Sequence, residues 1–83
     1  MTKRIYFAQF DAFMASVGFR ITVVPRSHVN YYHEESDTLL PIRLHKPTDF
    51  VPDYWIASAR GQLDRRGILD AKDFEEKLNA VAA

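Results

Sequence analysis

The 83-residue chain contains no cysteine. That absence excludes a disulfide scaffold, a thiolate zinc site and a cysteine nucleophile, and it fits a reducing cytoplasm, the location expected here. No apolar run approaches the ~18 residues of a membrane-spanning helix, so no membrane partner is expected. The N-terminus lacks the basic, then apolar, then small-residue layout of a secretion signal. Net charge is missing too. Eleven Lys and Arg balance eleven Asp and Glu, for a pI near 6.8, whereas phosphate binding usually shows as a basic excess. The balance is uneven, however. From Asp70 onward four acids face two lysines, which leaves residues 1–69 at net +2. Such a bias permits RNA binding without arguing for it.

What is present is apolar material. Hydrophobic residues make up 47% of the chain and aromatics 13%, enough for a real core and too much for a disordered tail. There are no repeats, low-complexity segments or long linkers, so residues 1–83 read as one domain. Tyr6, Phe10, Phe13, Met14 and Val17 recur at helical spacing and predict a first helix over roughly 5–17, with Thr2 as the nearest cap and Gly18 at the stop. The period then changes to two. Phe19, Ile21 and Val23 alternate with Arg20, Thr22 and Val24, as in a half-buried strand. Pro25 closes it. A second strand, His28 to His33, puts Val29 and Tyr31 on one face and His28, Asn30 and Tyr32 on the other. Residues 34–37 have turn composition. A third strand, Thr38 to His45, offers Leu40, Ile42 and Leu44 to the core.

Such short connections force an antiparallel meander. With 34–37 as the loop, Val29 faces Ile42, Tyr31 faces Leu40 and His28 faces Arg43; a slip of one residue would mix the faces. The same register sets Arg26 opposite His45. It therefore predicts Arg26, His28, Arg43 and His45 clustered at one end of the sheet, away from the core. Pro41 marks the third strand as an edge and leaves the second in the centre. Asp49 then reads as the cap of a second helix carrying Pro52, Trp55, Ile56, Ala59 and Leu63, with Gly67 ending it and Ile68 packing back on Leu63. Finally Leu69, cap Asp70, Asp73 and Phe74 announce a third helix with Ala71, Phe74, Leu78 and Val81 buried. The expected fold is α+β: α-β-β-β-α with a three-stranded antiparallel sheet, helices on one face, and an extra C-terminal helix.

A helix ending in Gly18-Phe19, then Ser27-His28 with an aromatic at Tyr31, a third strand ending in His45 and an amphipathic helix together resemble the HicA-type mRNA interferase toxins. Those are small proteins with a double-stranded-RNA-binding-domain-like fold. The similarity covers about residues 6–68, and residues 69–83 look like an appended helix. The resemblance implies a metal-independent endoribonuclease that uses no cofactor, with His28 as its catalytic residue. It also implies a cognate HicB-like antitoxin that masks the toxin by direct binding. Where the family has glycine before Ser-His, this chain has Arg26, which changes the backbone geometries open to the start of the strand.

The residues themselves suit that chemistry. RNA cleavage without a metal needs a base near the 2′-hydroxyl and a cation near the phosphate, which His28 and Arg43 would supply. The competing reading makes His28 a tolerated polar residue on a wet face, in a module that binds RNA or protein without catalysis. His45 and Lys46 fit phosphate contacts, although His45 equally fits a strand-end polar residue. Arg26 adds charge and Tyr32 could stack a base. Ser27 caps the loop or meets phosphate. As strand neighbours, Ser27 and His28 are expected to project oppositely, which argues against a Ser-His-Asp arrangement. His33 falls on the core parity and reads as structural. Since His28 and His33 point to opposite faces, no metal site is expected.

Overall fold

A computed structural model describes residues 4–81. The chain runs α1 (Phe7–Ser16), β1 (Phe19–Val24), β2 (His28–His33), β3 (Thr38–Arg43), α2 (Asp53–Arg65) and α3 (Ala71–Val81). The strands form one antiparallel sheet in the order β1-β2-β3, so β2 is central and Pro41 sits on an edge strand. There its missing N–H costs no ladder bond. Apolar meets apolar in the register, with Val29 paired to Ile42 and Tyr31 to Leu40. Burial alternates strictly along β2: Val29, Tyr31 and His33 are buried, while His28, Asn30 and Tyr32 are half-buried on the other face.

The helices cover one face of the sheet. α1 packs on β1, and α3 packs against both α1 and α2. Phe10, Phe13, Met14, Tyr31, Leu63, Phe74 and Leu78 are almost completely excluded from solvent. The ring of Phe74 meets Phe13 edge to face at 5.0 Å. α3 is thus part of the core rather than a decoration on it. Its first turn is capped as the sequence predicts, the Asp73 amide donating to Asp70 Oδ1 at 2.8 Å.

Gly67 ends α2 at φ 70°, while the Ile68 amide donates to the Leu63 carbonyl and the Gly67 amide to that of Asp64. Those two bonds are the paired closure of a Schellman stop. Gly18 ends α1 at φ 98°. A methyl group there would lie 3.2 Å from His33 Nε2, so glycine also makes room for that imidazole. His33 in turn bonds Ser36 Oγ at 2.7 Å, and Ser36 bonds the buried Thr38 hydroxyl at 2.8 Å. His33 borders the core with its Nδ1 partnered by Ser36.

Several expectations need correction. The first helix begins at Phe7, not residue 5, and Thr2 lies outside the described residues. Tyr6 leaves the apolar stripe: it precedes the helix, is 44% exposed, and stacks on Phe50. Asp49 does not cap α2, which starts after Pro52; instead its carboxylate accepts from the Lys46 amide at 2.9 Å and closes the Lys46–Asp49 turn. Val23 keeps core parity but is 57% exposed, because the helical layer does not reach that end of the edge strand β1. β3 stops at Arg43, leaving Leu44 42% exposed and His45 beyond the ladder. Among the described residues, no helix is long and apolar enough to cross a membrane.

Candidate nucleic-acid interface

The β1–β2 turn positions the first candidate residues. The Ser27 amide donates to the Val24 carbonyl at 3.1 Å, which makes Pro25 and Arg26 the central pair of a tight turn. Proline suits the first of these positions, and the second takes a positive φ in a type II turn, where glycine is normally required. Arg26 occupies it at φ 63°. Arg26 thus holds a backbone conformation that glycine adopts without cost, and does so under local strain.

Because Ser27 lies in the turn and not in β2, it does not project away from His28. Its Oγ is 2.6 Å from His28 Nδ1, correcting the expectation that the two side chains oppose each other. Across the ladder, His28 is the Cα partner of Arg43. Arg26, Ser27, His28 and Arg43 therefore share one corner of the sheet, with His28 half-buried and the other three exposed. Asn30, the next residue of β2 on the same face, keeps a buried Oδ1 with no hydrogen-bond partner. That atom is unusual, since buried acceptors are nearly always paired. Tyr32, further along, donates to Asp37 Oδ1 at 2.8 Å, and this bond holds its phenol above its usual pKa.

His45 is not part of this cluster. The chain turns after Arg43 and carries the imidazole to the helical side, where it stacks on Phe7 with ring centroids 3.4 Å apart and planes within 11°. Nδ1 lies 2.9 Å from the Arg43 carbonyl, an obligate acceptor, so this nitrogen carries hydrogen and donates. Nε2 lies 3.5 Å from the Tyr31 hydroxyl. Tyr31 spends its single proton on Asp11 Oδ1, at 2.5 Å. Burial, then the Asp11 hydrogen bond, push the phenol far above its ordinary range, so Tyr31 stays neutral. His45, Tyr31 and Asp11 thus pin the end of β3 to α1.

The sequence reading missed Asp11, Phe50 and Tyr54. For Asp11 a signal existed: it follows Phe7 by four and precedes Met14 by three, so it is an acid on a buried helical stripe. Phe50 and Tyr54 gave none, because aromatics near a helix start ordinarily read as core. They are instead 43% and 63% exposed. Trp55 is only half-buried, not the core residue its spacing implies.

Among the described residues the ion pairs are Arg20–Glu34 and Arg60–Glu75, so Arg4, Arg26, Arg43 and Lys46 stand without a carboxylate partner. Arg65, Arg66, Lys72 and Lys77 likewise lie outside those pairs, so unpaired cations are spread over the described residues. No group of three or more potential metal ligands occurs among the described residues. No protein-family model matches the chain, and neither the curated proteins nor the solved structures contain a match to it.

Proposed function

We propose that the protein is a HicA-like, RNA-binding toxin domain that cleaves RNA without a metal, with His28 as general base and a HicB-like antitoxin as its partner. The observation that carries this reading is the meeting of Ser27, His28 and Arg43 at one corner of the open sheet face. In the productive tautomer Nδ1–H donates to Ser27 Oγ, which leaves the Nε2 lone pair free for substrate. Nε2 then takes the 2′-hydroxyl proton as the 2′-oxygen bonds to phosphorus. The bond from phosphorus to the 5′-oxygen breaks, and the leaving oxygen takes a proton from solvent. The products are a 2′,3′-cyclic phosphate and a 5′-hydroxyl. Arg43 pairs with the non-bridging oxygens, whose charge rises in the transition state. Ser27 is a positioning residue that selects the tautomer. Arg26 and Lys46 attract the strand by charge. Tyr32, tied to Asp37, presents its ring face to the strand.

The test is cleavage of end-labelled RNA in excess EDTA by the wild type and by His28→Ala. Cleavage by the wild type alone, with both proteins giving the same circular dichroism, supports the assignment. Cleavage by both would remove His28 from the mechanism. If neither cuts, yet RNA binds with steep salt dependence, the domain is a binding module that keeps this fold.

A further inference from the structure

Just beyond the end of β3 lies an open cleft of about 240 Å³, whose lining includes Phe7, Arg43, His45, Asp49, Tyr54 and Trp55. We propose that this cleft binds one unstacked nucleobase of a single-stranded RNA, next to the nucleotide whose phosphate meets His28 and Arg43. The inference rests on the RNA-directed reading above and adds to it a base subsite.

Four observations favour that occupant. First, the lining carries flat π-systems already held in stacks, His45 on the buried Phe7 and Phe50 on Tyr6, which lies outside the cleft. A planar base continues such a stack. Second, Tyr54 is 63% exposed in the first turn of α2, tilted against Trp55 at 5.2 Å. A large aromatic left that open contributes little to the fold and is free to stack. Third, the cleft is smaller than the ~300–1,000 Å³ of pockets that take drug-sized ligands. It suits one flat ring system. Fourth, Arg43 in the lining has no carboxylate partner among the described residues and is available to a phosphate, while Asp49 in the same lining accepts from the Lys46 amide. Arg43 also ties the cleft to the catalytic corner, lining the one and facing His28 across the ladder in the other.

Trp55 is the single tryptophan of the chain and lies in the wall, so its fluorescence reports occupancy directly. The full chain is titrated with each of the four ribonucleoside monophosphates and with ribose 5-phosphate, exciting at the red edge of indole absorption where nucleotides are transparent. The expected result is saturable quenching by at least one nucleotide and none by ribose 5-phosphate. Tyr54→Ala, with its fold checked by circular dichroism, should weaken that binding about 5- to 150-fold, the range of one base stack. His28→Ala should retain it, so a failure of the ribonuclease reading and a failure of the base subsite give different results. Absence of quenching by all four nucleotides up to their solubility would overturn the proposal. So would equal binding of ribose 5-phosphate, or unchanged affinity in Tyr54→Ala.

Discussion

Replacing Arg26 by glycine should stabilise the protein. Arg26 is held at φ 63° in the β1–β2 turn, a conformation that costs an L-residue roughly 1–2 kcal/mol. Glycine removes that strain but brings about 0.5–1 kcal/mol of extra backbone entropy in the unfolded chain. The difference is a net gain of about 0–1.5 kcal/mol, centred on about 0.75 kcal/mol. For a domain of this size 1 kcal/mol moves the midpoint by about 4–8 °C, so the central expectation is a Tm rise of about 3–6 °C. Arg26→Ala is the control, because it removes the same exposed guanidinium and keeps the strain; it should stay within about 0.5 kcal/mol of the wild type. Urea denaturation followed by circular dichroism separates the two, with the slope unchanged across the series. If Arg26→Gly is no more stable than Arg26→Ala, the turn is not strained and the reasoning fails. In RNA binding the variants should behave alike, each lowering the salt slope by about one phosphate contact. A difference between them would mean that turn geometry, not charge, governs the strand's approach.

Two further outcomes follow from the core. Tyr31→Phe leaves the Asp11 carboxylate without its donor and should cost about 1–3 kcal/mol in urea denaturation, toward the lower end because Asp11 is half-exposed. Burial of the phenol, together with the same bond, carries a pH signature. The folded-state pKa of Tyr31 is raised above the ordinary value of about 10. The stabilisation is therefore complete below about pH 10 and is lost as pH rises toward the folded-state pKa. Stability of the wild type should fall in that alkaline window more steeply than that of Tyr31→Phe, and equal slopes would contradict the burial of this phenol. Phe74→Ala should cost about 3–5 kcal/mol and leave the protein near unfolding. A loss below about 1 kcal/mol would mean that α3 is a dispensable addition.

What local pattern could determine, the sequence determined. Alternation of two against 3.6 placed β1 and β2 at their observed limits, and loop length with face matching set the β2–β3 register, because a slip would have turned Tyr31 toward solvent. The glycine stop of α2 and the Asp70 cap of α3 were legible because each is closed by bonds within a few residues. The juxtaposition of His28 and Arg43 came with the register. Tertiary structure decided the rest. His45 has the parity of the open face, yet the ladder ends at Arg43 and Phe7 offers a stacking partner on the other side; no periodicity extends past the last ladder bond. Asp49 read as a helix cap, but α2 starts only at Asp53, and the Asp49 carboxylate closes its own turn through the Lys46 amide. Ser27 met His28 because a turn, unlike a strand, does not alternate its side chains. Whether Tyr6, Phe50 and Tyr54 would be core or surface depended on how far α1 and α3 reach across the sheet. That is a property of packed volumes, which residue order encodes only through the whole fold.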